Sequence, residues 1–371
     1  MIDTWTLALV LTITVVSALF SLRLGVTVAI IEIVLGMIAG SFFGLTASDH
    51  EWLVFLAGLG SIVLTFLAGA EIDPDALKKT WKASTSIGMI SFLAPFLGAL
   101  LFAYYVLGWS WDASLITGVA LSTTSVAVVY VVLTETQIAR TATGKVILSA
   151  CFITDLGTAI ALSMLFTAPN WYMIVLVVAL VLATVIVPRA LAWLFQKAKG
   201  RSGELEIKAL LLVVVLLGAL AEVAGVHAVL PAYILGLLTA RLMSKNREIL
   251  VRMRTIALAF LTSFFFITAG TYVSLTAVAS GIGIVLVLFL VKVGFKFGGV
   301  LPVTRRFIRR EAVYTTLLMS TGLTFGTISA QFGLSTGIID VSQFSILVMT
   351  VLLTAIVPTI IAQRYYTPKG A

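Results

Sequence analysis

The chain has 371 residues, of which 60% are hydrophobic and only 11% are charged. Because soluble domains carry about 25% charged residues, this composition excludes a soluble globular protein and predicts a polytopic membrane protein. The formal net charge is +8, which in a soluble chain would indicate a nucleic-acid partner. The only cysteine, Cys151, excludes an internal disulfide.

Thirteen apolar runs are long enough to cross a bilayer as helices. They occupy residues 4–21, 25–44, 52–70, 84–107, 113–135, 142–167, 170–197, 206–224, 226–242, 255–275, 279–303, 312–332 and 343–364. We therefore predict an all-α membrane protein with about 13 transmembrane helices. The connections are short and polar, so we expect no soluble regulatory domain.

Basic residues collect in alternate connections. They include Arg23, Lys78, Lys79 and Lys82, the runs 189–208 and 241–254, and the arginines of 305–310. The intervening connections, such as 45–51 and 333–342, contain no Lys or Arg. By the positive-inside rule, the N-terminus is outside and the C-terminus is cytoplasmic, which requires an odd number of spans. The charge thus indicates topology in the cell membrane, and no nucleic-acid partner is expected.

The order of the spans indicates internal symmetry. Six spans precede the seventh and six follow it, and the two sets begin on opposite sides of the membrane, as in an inverted repeat. We predict a first repeat at 4–167, a linker helix at 170–197 and a second repeat at 206–364, all within one transmembrane unit covering 1–371.

Two spans are poor helices in corresponding positions of these repeats. The fifth contains a Gly/Ser/Thr cluster at 118–125, and the twelfth contains another at 320–329. Such clusters favour local unwinding, and interrupted helices in matching positions mark the substrate site of a transporter. The alternative is close helix packing through small residues. We interpret them as a crossed pair of broken helices, with Ser122, Thr324, Phe325 and Gly326 in the broken backbone.

Asp155 lies in the middle of the sixth apolar run. An ionised side chain at that depth costs at least about 3 kcal/mol on insertion scales, so it needs a partner, a hydrated cavity or a proton. The alternative is a structural carboxylate that Ser or Thr hydroxyls cap. We expect Asp155 to bind a cation and a proton in competition. Oxygen ligands for a hard cation would come from Thr154, Thr123, Thr124 and Ser125, and from carbonyls freed at a helix break.

Lys292 and Lys296 are four residues apart, hence on one face of the eleventh span. A buried lysine pairs with a carboxylate or loses its proton, unless it snorkels to the interface. Depth favours Lys292 as the residue at the site, whereas the Lys-x-x-Gly spacing favours Lys296, which we prefer. Glu32, in the second span, is either a partner for one of these lysines or part of a structural ion pair.

Several phrases together resemble a known family. Thr154-Asp155, the paired broken helices, the Lys-Phe-Gly-Gly-Val-Leu-Pro run that starts at Lys296, and the Phe-Leu-Ala-Gly-Ala-Glu-Ile-Asp phrase of 66–73 are similar to the monovalent cation:proton antiporter superfamily. The similarity is to the branch of Nap-type sodium antiporters and Kef-type potassium systems. It implies a homodimer in which a six-helix core domain slides like an elevator against a dimerisation domain.

The family pattern is matched only in part. The family aspartate of the sixth span corresponds to Asp155, but many relatives carry Asp, Asn or Gln at the preceding position, where this chain has Thr154. A second carboxylate is associated in the family with electrogenic exchange. A single carboxylate therefore predicts electroneutral, one-for-one exchange.

The sequence thus predicts a secondary active transporter that exchanges Na⁺ or K⁺ for H⁺, without enzymatic activity and without a cofactor. The alternative is a sodium-coupled symporter of an organic anion on a similar crossed-helix scaffold, which should show a larger polar cavity. A channel would need a selectivity filter or charged rings, and an enzyme a metal-ligand cluster or a nucleophile–base pair. None of these four patterns is found in the sequence.

Overall fold

The computed structural model describes residues 4–24, 27–139, 141–166, 170–198, 204–226 and 228–368. Within these ranges the regular structure is entirely helical. The α-helices are α1 (Thr4–Leu24), α2 (Val28–Phe43), α3 (Glu51–Ala70), α4 (Pro74–Tyr105), α5 (Trp111–Ser122), α6 (Val126–Glu135), α7 (Ala142–Leu165), α8 (Trp171–Ala198), α9 (Leu205–Val223), α10 (Val229–Lys245), α11 (Arg247–Ile256), α12 (Thr262–Thr271), α13 (Leu275–Phe307), α14 (Ala312–Met319), α15 (Thr324–Ser335) and α16 (Val341–Tyr365).

The helices group into the expected number of spans. Helices α5 and α6 are two halves of one span, as are α14 and α15, and a π-helical turn at Ala257–Leu261 joins α11 to α12. Counted in this way, the described residues form thirteen helical spans. Nine of the stretches in this part of the chain are long and apolar enough to cross a membrane by length and composition. The all-helical membrane fold is thus confirmed, whereas the orientation and the inverted repeats stay predictions.

Two helices begin well before their apolar runs. The fourth run starts at residue 84, but α4 begins at Pro74, and the Asp73 carboxylate accepts a hydrogen bond from the Asp75 amide at 3.0 Å. Proline fits the first helical position because its missing N–H would have no intrahelical partner there. Likewise, α11 begins at Arg247 although its apolar run starts at 255. Hydropathy marks only the apolar part of a helix, so it misses these polar extensions.

One compact unit comprises Met1–Trp52, Ala76–Thr158 and Phe266–Ala371. Within it, α13 packs on α16 and α5 packs on α15. Close packing also joins α2 to α12, where a Cβ on Gly36 would overlap the carbonyl group of Ile267. This unit draws on both halves of the chain and contains the two broken spans.

The second unit comprises Leu53–Asp75 and Ala159–Phe265. Its core includes Phe66, Leu210 and Leu235, all buried. Gly69 of α3 lies against α10, and a Cβ at that position would overlap the Tyr233 carbonyl oxygen. The glycine in the Phe-Leu-Ala-Gly-Ala-Glu-Ile-Asp phrase therefore has a packing role.

Candidate functional site

The two breaks contact each other within the first unit. Helix α5 ends at Ser122 and α6 starts at Val126, while α14 ends at Met319 and α15 starts at Thr324. The backbone N–H of Ser125 donates to the Thr321 carbonyl at 3.2 Å. The Thr124 hydroxyl donates to the Met319 carbonyl at 2.9 Å. The unwound segments of the two spans are thus hydrogen-bonded to one another.

Hydroxyl side chains explain why both spans unwind at these points. The hydroxyls of Ser122 and Thr123 donate back to carbonyls of their own helix at 2.7 and 3.1 Å. Those of Ser320 and Thr321 do the same in the second break, both at 2.7 Å. Such bonds satisfy carbonyls that lose their helical partners, so the backbone can leave the helix inside the membrane.

The second break lies slightly earlier than the sequence suggests. Residues 321–323 are irregular, and Thr324, Phe325 and Gly326 form the first turn of α15 instead of the unwound segment. Gly322 lies in this segment, and a Cβ there would overlap the Lys292 Nζ atom and lie 2.7 Å from the Thr123 hydroxyl oxygen. Glycine lets these groups meet without a shift of either side chain.

Asp155 is buried on α7, with 2% of its surface exposed. Among the described residues its Oδ1 atom has no hydrogen-bond partner. A buried polar atom without a partner costs about 1–3 kcal/mol, and more when it carries charge. The arrangement therefore favours occupation of this carboxylate by a proton or a cation.

Thr154 precedes this carboxylate and is fully buried. Its single hydroxyl proton is shared between two carbonyls, those of Gly88 at 3.2 Å and Ala150 at 3.0 Å. A hydroxyl that donates its proton to a carbonyl keeps its oxygen lone pairs available for a cation. The same holds for Thr123, whose hydroxyl also donates to a carbonyl. The Thr124 hydroxyl donates to a carbonyl too but accepts a hydrogen bond from Lys296, which occupies one of its lone pairs.

Lys296 is fully buried on α13 and lies at the first break. Its Nζ atom donates to the Ser91 hydroxyl at 2.6 Å, the Thr124 hydroxyl at 3.0 Å and the Ser122 carbonyl at 3.1 Å. These contacts place the side-chain nitrogen at the carbonyl end of α5, where the helix dipole would stabilise its protonated form.

Lys292 lies one turn earlier on the same helix and is linked to the second break by hydrogen bonds. Its Nζ atom donates to the Thr354 hydroxyl at 3.2 Å, and Thr354 in turn donates to the Gly322 carbonyl at 3.4 Å. Both lysines therefore lie at the paired breaks. Among the described residues, Lys296 and Asp155 form no ion pair within 4.0 Å.

Glu32 is buried on α2, in the first unit. The hydrogen bonds of the two lysines described above go to hydroxyls and a carbonyl, so pairing between Glu32 and a lysine stays a prediction. Sequence reasoning missed Ser91 and Thr354, which contact the two lysines directly. The only signal for them is that each is a hydroxyl residue in an otherwise apolar span.

The paired broken helices and the buried carboxylate define a class of membrane transporter. A family model described as "Sodium/hydrogen exchanger, transmembrane" matches residues 9–366. The chain belongs to this family, and membership in the monovalent cation:proton antiporter superfamily is confirmed.

The named relatives are transporters, not enzymes. The probable Na⁺/H⁺ antiporter 3 of Methanocaldococcus jannaschii is 27% identical over 350 residues, which is 90% of this chain and 89% of that protein. The Na⁺/H⁺-K⁺ antiporter GerN of Bacillus cereus is 24% identical, with 95% and 93% covered. Cation/H⁺ antiporter 18 of Arabidopsis thaliana is 26% identical over 84% of this chain, which spans 41% of its length.

The fold also matches a solved structure. The sodium proton antiporter MjNhaP1 from Methanocaldococcus jannaschii aligns with a TM-score of 0.73 and 18% sequence identity, over 96% of each chain. At this identity the match supports the shared fold alone.

Proposed function

We propose that this protein exchanges a monovalent cation, Na⁺ or K⁺, for H⁺ across the cell membrane, and that Asp155 binds the two ions in competition. The observation that carries the proposal is the buried Asp155 carboxylate, whose Oδ1 atom lacks a hydrogen-bond partner among the described residues. The membership of the chain in the sodium/hydrogen exchanger family supports cation/proton exchange as the reaction. The names of the relatives include both Na⁺ and K⁺.

Competition at one carboxylate couples the two ions. Burial penalises the charged, empty form of Asp155, and either a proton or a monovalent cation neutralises it. The loaded site can then cross the membrane, whereas the empty anion cannot. Each crossing therefore carries one ion or the other, which is exchange without a leak.

Oxygen atoms at the broken helices complete the proposed cation site. Thr154, Thr123, Thr124 and Ser125 contribute hydroxyl oxygens, and the unwound backbone contributes carbonyls. Most of these hydroxyls are held in place by hydrogen bonds to backbone carbonyls. Lys296 binds the first break through the Ser122 carbonyl and the Thr124 hydroxyl.

We further propose an elevator mechanism in a homodimer. All residues of the proposed site lie in one compact unit, within the ranges Ala76–Thr158 and Phe266–Ala371. An elevator mechanism requires that its moving part carry the whole site. The resemblance to the superfamily supports both the movement and the dimer.

The test is collapse of an imposed pH gradient in proteoliposomes, followed with a pH-sensitive dye while Na⁺, K⁺, Li⁺ or choline is added. We expect an alkali cation, but not choline, to collapse the gradient with the wild type. Asp155→Asn should abolish this response while the protein stays folded on gel filtration. Asp112→Asn is the matched control, since Asp112 is exposed in the first turn of α5, and it should transport normally.

Exchange by Asp155→Asn would contradict the assignment of the carboxylate. Absence of a response to every cation with the wild type, across a range of pH values, would contradict the exchange function itself.

A further inference from the structure

A cavity of about 540 Å³ lies in the first compact unit, bounded by α1, α2, α6 and α16. Its walls are nearly all aliphatic; Leu24, Val131 and Ala355 are examples. Ligand pockets in proteins have volumes of about 300–1,000 Å³. The cavity is therefore large enough to hold part of a ligand, and its walls favour a hydrocarbon one.

The cavity is elongated and polar at one end. Its lining residues on α2 and just before it run from Thr27 to Leu35, and those on α16 run from Gln363 back to Ala355. At a rise of about 1.5 Å per residue, each wall is about 12 Å long. Thr27 and Gln363 lie at the end of the cavity near the helix termini, while Leu35 and Ala355 form the deep end. This arrangement fits an amphiphile that inserts its hydrocarbon chain.

Positive charge flanks the polar end. Arg23 directly precedes the lining residue Leu24, and Arg364 directly follows Gln363; both arginines are exposed. Thr27 adds a hydrogen-bonding group, because its Oγ1 atom is buried without a partner in the described part of the chain. Basic pockets between transmembrane helices bind the head groups of anionic lipids.

We propose that this cavity binds one anionic phospholipid from the surrounding bilayer. An acyl chain occupies the aliphatic cavity, and the phosphate head group binds Arg23, Arg364 and the Thr27 hydroxyl. A zwitterionic lipid would fill the cavity equally well but would gain less from the arginines. A small soluble anion would use the arginines but not the apolar walls.

The position of the cavity links it to the broken helices. Its deepest residue on α16, Ala355, follows Thr354, which binds Lys292. Its α6 wall belongs to the helix that begins directly after the first break. A bound lipid would therefore brace α6 and α16. The proposal concerns binding and does not depend on the proposed exchange function.

The test is native mass spectrometry of the purified full-length protein with an equimolar mixture of phosphatidylglycerol and phosphatidylcholine that carry the same acyl chains. We expect one phosphatidylglycerol to be retained per chain in preference to phosphatidylcholine. Arg23→Gln and Arg364→Gln should each weaken its binding about five-fold. Val131→Trp should abolish it, because Val131 lines the cavity and is 37% exposed, which leaves room for a larger side chain to fill it.

Two matched controls test whether the effect is specific. Arg305→Gln removes an exposed arginine from the last turn of α13, and Val178→Trp enlarges a residue of α8 that is 50% exposed. Neither residue lines the cavity, and both variants should retain the lipid. Equal retention of the two lipids, equal losses in Arg305→Gln and Arg23→Gln, or unchanged binding in Val131→Trp would overturn the proposal.

Discussion

Lys296 and Lys292 are both buried on α13, but they differ in the number of groups that depend on them. Lys296 donates to two hydroxyls and to the Ser122 carbonyl, whereas Lys292 donates to the Thr354 hydroxyl. A buried polar group that loses its only partner costs about 1–3 kcal/mol. We therefore expect Lys296→Ala to lower the thermal unfolding temperature, or shift the pH profile of transport, more than Lys292→Ala.

The measurement is thermal unfolding of the purified variants in one detergent, together with exchange rates across a range of pH values. Lys208→Ala serves as the control, since Lys208 is an exposed residue of α9, and it should behave like the wild type. Equal effects of the two buried substitutions, or a larger effect of Lys292→Ala, would reverse the preference for Lys296.

At the residue scale, the sequence reveals charged side chains much better than neutral partners. The sequence reveals Asp155, Lys292 and Lys296 because an ionisable group in an apolar run costs free energy to insert into the membrane and is therefore rare there. Ser91 and Thr354 could not be found in this way. Hydroxyls in helices commonly bond to their own backbone, and nothing local indicates that Ser91 instead receives a bond from a lysine 205 positions away.

At the element scale, the contact between the broken helices depends on small residues. Gly326, in the first turn of α15, faces α5, and a Cβ at this position would lie 2.9 Å from the Ala120 carbonyl oxygen. Because a backbone atom cannot yield as a side chain can, Gly326→Ala should push the two helices apart. Overpacking of this kind costs about 1–3 kcal/mol. We expect a lower unfolding temperature and slower exchange.

Gly298→Ala is the matched control, because a Cβ on Gly298 of α13 would meet nothing within 4 Å. It should unfold at the wild-type temperature or slightly above it, since alanine favours a helix over glycine. Normal stability and transport in Gly326→Ala would contradict the close contact of the broken helices.

The location of the breaks was predictable to within a few residues, and so was their pairing, but the individual contacts between them were not. Clusters of Gly, Ser and Thr mark where a span can unwind, and the irregular segments at 123–125 and 321–323 fall inside the predicted clusters. The second break contains Gly322, where Lys292 and Thr123 come together. That contact joins residues from three separate spans, so no local pattern contains it.

At the scale of the whole molecule, the charge pattern predicts orientation and the number of spans, but not how the spans group. The described residues divide into two compact units, and each is assembled from both halves of the chain. Apolar runs do not indicate which spans pack together, because every span is apolar in order to cross the hydrocarbon core of the bilayer. Glycines such as Gly69, which pack one helix against another's backbone, become meaningful only when the partner is known.

The stoichiometry of exchange is also a property of the whole molecule. Asp155 follows Thr154, so this pair of residues supplies one carboxylate. One carboxylate that takes either one proton or one monovalent cation moves no net charge in a complete cycle. We therefore expect the rate of exchange to be independent of membrane potential. The measurement is the initial rate of pH-gradient collapse in proteoliposomes with and without a potential imposed by a thiocyanate gradient.

Thr154→Asp provides the matched variant for this measurement. It adds a second carboxylate beside the first, at a position that is fully buried. If two protons then exchange for one cation, the cycle moves a charge, and its rate should respond to the imposed potential. A potential-dependent rate in the wild type would contradict one-for-one exchange and would require a second titrating group in the cycle, for which buried Glu32 is the first residue to test.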